Sequence, residues 1–213
     1  MYSYWVKTPK WLPKLFPNDL IWKMRDDIEP AVYLTFDDGP HPEATIFVLE
    51  QLKHFDAKAT FFCIGKNVAE HQEIYTRILN EGHTVGNHTQ NHLDGWKNTR
   101  QDYIRNILHA GKQIKSRNFR PPYGRINISQ AKRLSNAHHP WKIFMWDVLS
   151  GDFDINISSE QCLENVIKNI EPGSIVVFHD SEKAMPRMSY ALPKVLAYCR
   201  EKNWKIKALP HYE

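Results

Sequence analysis

Residues 31–40 of the 213-residue chain read AVYLTFDDGP. Its first six residues, 31–36, are apolar or β-branched, which is typical of a short buried strand. Pro30 precedes this run, and two acids and a Gly-Pro pair follow it. Two adjacent carboxylates after an apolar strand are costly to bury without partners. Because neighbouring residues of a strand point to opposite faces, Asp37 and Asp38 reach one site only if the Gly-Pro pair breaks the strand. Asp-Asp-Gly-Pro is also an ordinary turn sequence, so these residues alone leave a structural role open.

Further along the chain, strand-like segments alternate with segments whose apolar residues recur every three or four positions. The predicted strands are residues 31–36, 59–64, 83–85, a strand opening at 119, 141–148, 175–178 and 204–209, and the predicted helices lie at residues 48–55, 68–79, 104–111, 158–170 and 192–199. This alternation predicts an α/β fold with a parallel sheet covered by helices. About seven parallel strands favour a distorted, incomplete (β/α) barrel. An open doubly wound sheet is the alternative.

The first 28 residues differ in character from the rest of the chain. Aromatic side chains alternate there with lysines, and prolines at positions 9, 13 and 17 prevent a continuous helix. We therefore predict an extended strap, residues 1–28, packed on a single domain of residues 29–213. The mixture of aromatic and basic residues also suits a segment that lies on a membrane surface, which is the alternative.

The composition is that of an ordinary globular protein, with 42% hydrophobic and 24% charged residues. It excludes a disordered tail, a collagen-like fibre and a coiled coil. No apolar run approaches the roughly 20 residues of a membrane-spanning helix, so no transmembrane segment is expected. The net charge of +4 is mild and by itself gives no reason to expect a nucleic-acid partner. These features leave the oligomeric state open.

The cysteines and the N-terminal residues bear on the compartment. Cys63, Cys162 and Cys199 are widely and irregularly spaced, which excludes a Cys-x-x-Cys zinc or redox site and suits a reducing compartment. The first residues lack the basic start and apolar stretch of a secretory signal. We therefore expect a cytoplasmic protein, or an extracytoplasmic one if a leader has been removed from this chain.

A pair of histidines indicates a metal site. Residues 88–92 read HTQNH, and a spacing of four places the two imidazoles on one face of a helical turn. Two histidines and one carboxylate, here from Asp37 or Asp38, make a ligand set that leaves positions open for water and substrate. Two surface histidines without a metal are the alternative. Non-haem iron oxygenases use the same ligands, but they require a β scaffold, whereas this chain is predicted to be α/β.

Polar and ionisable residues fall at the ends of the predicted strands. In (β/α) barrels the active site is built at the carboxyl ends of the strands. Four predicted strands end in such groups: Asp37 and Asp38, Asn87 and His88, Arg120, and His179. At the end of a fifth strand lies Asp147, and Asp152 lies just beyond it. This regular placement predicts a shared site at one end of the barrel.

Five motifs, in the family's order, are similar to those of the polysaccharide deacetylase family, also called carbohydrate esterase family four or the NodB-homology domain. They are residues 35–40, the His-Thr-x-x-His of 88–92, Arg-Pro-Pro-Tyr-Gly at 120–124, residues 146–153 and Val-Phe-His at 177–179. The resemblance extends from residue 31 to about residue 180 and so covers most of the chain. The first 25 or so residues lie outside it.

The resemblance implies a divalent metal held by Asp38, His88 and His92. In the family this metal is commonly Zn²⁺ and sometimes Co²⁺, Ni²⁺ or Mn²⁺. The resemblance thereby selects Asp38, and not Asp37, as the carboxylate ligand.

The resemblance also implies catalytic roles for five residues. Asp37 would be the general base, tethered and kept ionised by Arg120. His179 would be the general acid, oriented by Asp152. The backbone N–H of Tyr123 would help to hold the oxyanion.

The sequence departs from the family pattern at three positions. The fourth motif usually ends in Asp-Trp, where this chain has Phe153, and an earlier aspartate of that motif is Leu149 here. The fifth motif usually has leucine where this chain has Val177. The family's tryptophan and leucine help to line the pocket for the acetyl methyl group. Because Phe153 and Val177 are smaller than these residues, a roomier pocket is expected. Asp147 and Asp154 match no catalytic position and are expected to be loop or capping residues.

The resemblance implies a metal-dependent hydrolase of non-peptide carbon–nitrogen bonds. Such an enzyme removes acetyl groups from N-acetylglucosamine-type units of an oligo- or polysaccharide, chitooligosaccharide or peptidoglycan-like, and releases acetate. An O-acetyl esterase acting on a glycan such as acetylated xylan is an alternative on the same fold. A non-catalytic module that binds an anionic glycan or nucleic acid is a second alternative, because residues 97–133 hold ten basic residues and one acid.

Overall fold

The computed structural model describes residues 4–16, 20–24 and 29–213. Within these residues a curled sheet of parallel strands packs against helices. The strands are β1 (Leu20–Ile21), β2 (Ala31–Asp37), β3 (Thr60–Cys63), β4 (Thr84–Asn87), β5 (Asn118–Phe119), β6 (Lys142–Phe144), β7 (Val148–Leu149), β8 (Ile175–His179) and β9 (Lys205–Ile206). The helices are α1 (Ala44–His54), α2 (Gly65–Glu70), α3 (Gln72–Asn80), α4 (Arg100–Ala110), α5 (Ile128–Ser135), α6 (Ser159–Ile167) and α7 (Met185–Glu201).

The strand order is β1-β6-β5-β4-β3-β2-β8-β7, and every one of these pairings is parallel. β9 pairs with the first two residues of β2, before the stretch in which β2 pairs with β3. The register sets Asp37, the last residue of β2, level with Phe62 of β3 and His179 of β8. The ends of β2 and β8 therefore meet at one end of the barrel.

The two edges of the sheet lie close together. In the chain, only residues 145–147 separate β6 from β7. In the sheet, β7 is the last strand at one edge and β6 is next to the last strand, β1, at the other edge. Four extended peptide steps span at most about 14 Å, so the sheet must curl to bring those edges near each other. The predicted α/β class and distorted, incomplete (β/α) barrel are confirmed. In the described residues eight strands lie in series, where about seven were predicted.

One predicted strand is in fact two. Residues 141–148 were expected to form a single strand, but they form β6 and β7 with a break between them. The carbonyl groups of Phe144 and Met145 accept hydrogen bonds from the Arg120 guanidinium, at 3.2 and 2.9 Å. These carbonyls turn toward a buried charge, which ends β6. The single-strand prediction is wrong because the local apolar pattern does not show a charge that comes from Arg120, more than twenty residues earlier in the chain.

The helices differ from the predicted pattern in two places. The helix expected over residues 68–79 is divided into α2 and α3 at His71, whose φ of −130° and ψ of 53° are not helical. α5 was not predicted because its apolar stripe is short, although residues 127–130 form a capping box. The capping box predicted from Ser158 and Gln161 does begin α6. Among the described residues, no helix combines the length and the apolar character needed to cross a bilayer.

Side chains of β2 point alternately into the barrel interior and toward the core beneath the helices. Phe36 points outward, where it stacks on Phe61 and Phe178 with ring centroids 5.2 and 6.1 Å apart. Burial of one such phenylalanine contributes roughly 2–3 kcal/mol to stability. Thr35 and Asp37 point the other way, into the barrel. The strand thus delivers a carboxylate to a position enclosed by the sheet.

The first described residues lie along the edge of β7. The amide of Leu149 donates to the carbonyl of Val6, and the amide of Thr8 donates to the carbonyl of Asp147, each at 2.8 Å. β1, which was not predicted, extends the other edge of the sheet beside β6. The N-terminal segment therefore covers both edges, which would otherwise expose unpaired backbone groups. The predicted boundary between residues 28 and 29 falls outside the described residues.

Asp147 anchors this N-terminal segment. Its buried carboxylate accepts hydrogen bonds from the Ser174 hydroxyl and the Ile175 amide, at 3.0 and 2.8 Å, and pairs with the Lys7 ammonium at 2.8 Å. Lys7 also donates to the carbonyl of Asn169 at 2.8 Å. Burial raises the pKa of the Asp147 carboxyl, and the Lys7 ammonium opposes that rise. Asp147 therefore ties the segment to β7 and β8.

Lys7→Met is expected to lower the free energy of unfolding by about 2 kcal/mol, because it leaves the buried Asp147 carboxylate without its cation. The loss is smaller than for a fully buried pair, since the Lys7 side chain is 33% exposed. Urea unfolding followed by circular dichroism measures it. Lys168→Met is the matched control: Lys168 pairs with Glu164 on the exposed surface and contributes under about 0.5 kcal/mol. Equal stability of Lys7→Met and the parent would contradict the anchoring.

Candidate active site

A buried arginine organises the interior end of β2. Arg120 follows β5 and has 0% exposed surface. Its guanidinium donates to Thr35 Oγ1 at 2.6 Å and to Asp37 Oδ1 at 2.8 Å, as well as to the carbonyls of Phe144 and Met145. A guanidinium cannot lose its charge, so it requires partners when buried. Asp37 supplies the compensating negative charge.

The pair with Arg120 counteracts the burial of Asp37. Burial raises the pKa of the Asp37 carboxyl, the charges of Arg120 and His179 lower it, and the pKa stays above its ordinary value. The arginine was expected to keep Asp37 ionised. In the metal-free protein it opposes the desolvation of the carboxylate without fully offsetting it.

The chain turns at Asp38, and this turn lets the two adjacent acids share a site. Asp38 has a φ of 87°, in the left-handed region. Its carbonyl accepts a hydrogen bond from the Asn67 side-chain amide at 2.7 Å. The break expected at the Gly-Pro pair therefore begins one residue earlier. Gly39 is required for a different reason: a Cβ there would lie 2.0 Å from the carboxylate of Asp180.

His88 and His92 lie in a loop and not on the helical turn that their spacing predicted. The segment after β4 contains no helix, and Thr89 and His92 have φ values of 66° and 54°. The Thr89 hydroxyl accepts a hydrogen bond from the Leu93 amide at 3.0 Å, which stabilises the bend. The two imidazole rings still face each other, with centroids 5.1 Å apart. The predicted proximity is present, but the predicted helical turn is wrong.

Asp38, His88 and His92 converge on one point. One ligand atom from each lies within 4.8 Å of the other two. Asp38 Oδ1 is 3.2 Å from His92 Nε2 and 3.7 Å from His88 Nε2. That oxygen is buried, and no hydrogen-bond donor reaches it among the described residues. An unsatisfied buried acceptor costs about 1–3 kcal/mol, and a cation between these atoms would satisfy it.

The second ring nitrogens of the two histidines are already engaged. His88 Nδ1 lies 2.8 Å from the carbonyl of Arg120, which can only accept, so Nδ1 donates and Nε2 keeps its lone pair. His92 Nδ1 lies 3.1 Å from the Tyr123 hydroxyl. Burial, reinforced by His92, lowers the pKa of His88, which favours the neutral form that binds metals. Two imidazole nitrogens and one carboxylate oxygen fit a divalent transition metal such as zinc.

His179, at the end of β8, forms a second charged pair. Its Nδ1 and its backbone amide each donate to a carboxylate oxygen of Asp152, both at 2.7 Å. Burial lowers the pKa of His179, but the charge and hydrogen bond of Asp152 more than offset this and raise the pKa to about 9. Arg187 holds the carbonyl of Asp152 at 2.6 Å. His179 therefore carries an extra proton at neutral pH in the metal-free protein.

One cavity of about 520 Å³ collects these groups. Six of the eight predicted site residues line it: Asp37, Asp38, His88, His92, Tyr123 and His179. The other two, Arg120 and Asp152, contact Asp37 and His179 directly. Tyr123 has a φ of 59° and is 60% exposed. The structure brings all eight residues together, and their catalytic roles stay predictions.

Three residues that sequence reasoning assigned no role support this cavity. Thr35 accepts a hydrogen bond from Arg120, Arg187 holds the loop of Asp152, and Tyr4 lines the cavity from the N-terminal segment. Strand alternation could have found Thr35, since it shares a face of β2 with the general-base candidate. Arg187 and Tyr4 carry no local signal, because their partners are distant in sequence.

Asp180, beside His179, is held as a structural group. Its buried carboxylate accepts hydrogen bonds from the Gly39 amide at 3.0 Å and from the Thr45 hydroxyl. Burial raises the pKa of Asp180 to about 8. It joins the end of β8 to the start of α1 and supports the turn at Asp38.

An incomplete barrel whose strand ends gather two charged pairs and a cluster of metal-ligand type has the parts that a hydrolytic enzyme requires. The family model described as Polysaccharide deacetylase matches residues 25–140. A peptidoglycan-N-acetylglucosamine deacetylase of Bacillus cereus is 32% identical over 191 residues, which cover 87% of this chain and 88% of that protein. A chitooligosaccharide deacetylase of Sinorhizobium fredii is 31% identical over 198 residues, covering 85% and 91%.

Solved structures agree with this assignment. The crystal structure of the Bc1960 peptidoglycan N-acetylglucosamine deacetylase in complex with 4-naphthalen-1-yl-N-oxidanyl-benzamide has a TM-score of 0.83 to this chain, at 31% identity. The match covers 90% of this chain and 91% of that one. The chain belongs to the polysaccharide deacetylase family. The predicted family is confirmed, and with it the predicted class, a hydrolytic deacetylase.

The parent protein is expected to bind one divalent cation per chain. His88→Ala or His92→Ala is expected to weaken metal binding by more than about 100-fold, because each variant lacks a direct ligand. Loss of a residue that only hydrogen-bonds to a ligand already weakens metal binding by about 10–100-fold. Plasma mass spectrometry after dialysis against Zn²⁺, with calorimetric titration of the metal-free protein, measures this. Asp37→Asn is the neighbouring control and should retain the metal. Metal retention by both histidine variants would rule out the site.

In the metal-free protein, His179 is expected to titrate near pH 9. Asp152→Asn is expected to lower the pKa of His179 by more than about one pH unit, because it removes the carboxylate charge that opposes burial. Two-dimensional NMR of the imidazole resonances measures the titration. Asp154→Asn is the matched control, because it removes a carboxylate of the same loop that accepts a hydrogen bond from the Tyr4 hydroxyl and not from His179. If His179 titrated alike in Asp152→Asn and in the parent, the pairing would be disproved.

Proposed function

We propose that this protein hydrolyses the acetamido group of N-acetylglucosamine-type units in an oligo- or polysaccharide and releases acetate. One observation carries the proposal. A single cavity is lined by Asp37, which pairs with an arginine, by His179, which pairs with a carboxylate, and by three converging side chains of metal-ligand type. Amide hydrolysis requires a base, an acid and stabilisation of the developing oxyanion. The relatives described above are named for peptidoglycan N-acetylglucosamine and for chitooligosaccharides.

Asp38, His88 and His92 would hold the metal, and we propose Zn²⁺, with Co²⁺, Ni²⁺ or Mn²⁺ as the alternatives that metal analysis separates. When bound, such an ion polarises a carbonyl oxygen and lowers the pKa of water toward about 7. The protein prepares the site by keeping His88 neutral through burial and by fixing its ring on the carbonyl of Arg120.

Asp37 would act as the base that takes a proton from the attacking water. Arg120 fixes Asp37 Oδ1 at 2.8 Å, and the four hydrogen bonds of the guanidinium keep that contact rigid. The carboxylate is therefore oriented before substrate arrives. A positioned general base typically contributes about 10²–10⁴ in rate.

His179 would act as the acid, because an amine leaves poorly until it is protonated. Its Nδ1 proton is donated to Asp152 at 2.7 Å. The Nε2 proton is then the one delivered to the leaving nitrogen. The charge and hydrogen bond of Asp152 raise the pKa of His179, which favours the protonated form that an acid requires.

The backbone N–H of Tyr123 would stabilise the oxyanion. Tyr123 lines the cavity and sits in a left-handed conformation, with a φ of 59°, in the turn after β5. A fixed donor of this kind contributes on the order of 3 kcal/mol to transition-state binding. The hydroxyl of Tyr123 meets His92, so the same residue also supports a metal-ligand candidate.

The substrate screen separates this proposal from its two alternatives. An O-acetyl esterase would release acetate faster from acetylated xylan than from chitooligosaccharide. A non-catalytic module would bind glycan without releasing acetate, and the complete set of base, acid and ligand side chains argues against it. No nucleic-acid partner is proposed. The cytoplasmic location expected from the N-terminal residues stays a prediction.

The Zn²⁺-loaded protein is expected to release acetate from chitooligosaccharides or peptidoglycan fragments in preference to acetylated xylan. Asp37→Asn is expected to lower kcat by at least about 100-fold with unchanged metal content, because the amide cannot accept the proton. A coupled acetate assay and metal analysis of the same samples measure both. Asp102→Asn, an exposed change on α4, is the control. Full turnover in Asp37→Asn would refute the assignment of the base, and no acetate from any of these glycans would refute the proposed activity.

A further inference from the structure

The N-terminal segment contributes a side chain to the active-site cavity. Tyr4 lines the cavity together with Leu149, Phe153 and Val177. Those three residues are the positions at which the chain departs from the family pattern, and two of them, Phe153 and Val177, predicted a roomier pocket. Tyr4 adds an aromatic ring to that same wall.

Tyr4 packs directly against Phe153. Their ring centroids are 5.1 Å apart at an angle of 56°, and Phe153 in turn meets the His179 imidazole edge-on, with centroids 5.2 Å apart. The three rings form a continuous series of tilted and edge-to-face contacts that ends on the proposed general acid. Phenylalanine is smaller than the tryptophan usual at this position, and Tyr4 supplies aromatic volume next to it.

The loop around Phe153 is shaped to receive Tyr4. The Tyr4 hydroxyl donates to Asp154 Oδ2 at 3.0 Å. A Cβ at Gly151 would lie 2.8 Å from that hydroxyl, and Gly151 has a φ of 77°. A side chain there would be strained by its backbone and would collide with Tyr4. The loop therefore accommodates this tyrosine on both sides of Phe153.

The backbone that presents Tyr4 is fixed at several points. The Val6 carbonyl accepts from the Leu149 amide at 2.8 Å, and the Thr8 hydroxyl donates to the Trp146 carbonyl, also at 2.8 Å. Leu149 and Trp146 both line the cavity. Lys7 pairs with the buried carboxylate of Asp147, the residue that directly precedes β7. Tyr4 is thus held against the cavity by the same strands that carry the proposed site.

We propose that Tyr4 is a specificity-determining residue that closes the apolar wall beside Phe153 and restricts the acyl group to acetyl. This inference rests on the proposed deacetylation. An apolar wall of this kind discriminates by roughly 10–200-fold for one additional methylene. A larger acyl group would have to displace the Tyr4 ring and break its bond to Asp154.

The test compares N-acetyl with N-propionyl chitooligosaccharides. Tyr4→Ala is expected to raise the ratio of kcat/KM for propionyl over acetyl by about 10-fold or more. Tyr4→Phe keeps the ring and should leave the ratio within about 2-fold of the parent. Trp5→Ala is the matched control, since Trp5 is the next residue, is 54% exposed and is absent from the cavity wall.

A second readout needs no turnover. NMR titrations with acetate and butyrate report how each carboxylate binds in the cavity, and Tyr4→Ala should favour butyrate over acetate relative to the parent. Thermal unfolding checks that Tyr4→Ala is folded, and Tyr4→Leu replaces it if it is not. Unchanged ratios in a folded variant would overturn the role of Tyr4 while leaving an active parent as evidence for deacetylation. An inactive parent would refute the proposed function, and the carboxylate titrations would still decide the role of Tyr4.

Discussion

The structure depends on a guanidinium that has no contact with solvent. Arg120 lies over the Phe62 ring at 4.2 Å, and it is neutralised by Asp37 and donates to three further acceptors. Its own carbonyl fixes the ring of His88. One residue therefore orients the proposed base, orients a metal-ligand candidate and ends β6. Removing either member of a buried pair leaves the other uncompensated, which typically costs about 3–5 kcal/mol. Fold and site consequently cannot be varied independently at this position.

Each of the two charged pairs of the cavity joins a carboxylate to a cation, yet the two pairs have opposite consequences. In the pair of Asp37 with Arg120, the cation cannot release a proton, so the carboxylate is the group whose protonation varies. In the pair of His179 with Asp152, the imidazole can release a proton, and the carboxylate raises its pKa to about 9. The identity of the cation thus decides which member of each pair exchanges protons. A base and an acid arise in one cavity because arginine stands in one pair and histidine in the other.

Sequence reasoning succeeded where the determining contact is local or follows from the sheet. The strand that ends in two acids, the (β/α) alternation and the placement of polar groups at strand ends all follow from periodicity and from the parallel register, which sets Asp37 beside His179. It failed where a distant partner or a left-handed residue decides the backbone path, because periodicity reports neither. The break before Trp146 follows from the guanidinium of Arg120, and the path from His88 to His92 follows from left-handed residues stabilised by local hydrogen bonds. Asp38, His88 and His92 do lie together, although the helical turn expected to bring the two histidines together is absent.

The N-terminal segment shows how one stretch of chain serves two purposes. Its prolines exclude a continuous helix, and an extended backbone is what pairing along the edge of β7 requires. That pairing shields the sheet edge and sets Tyr4 against Phe153 in the same step. The salt bridge from Lys7 to Asp147 fixes the same segment three residues after Tyr4. Any change that loosens this bridge is therefore expected to act on stability and on acyl preference together, whereas truncation of the Tyr4 ring alone should act mainly on the pocket. The geometry thus separates the two contributions of a segment that composition alone would describe as a single strap.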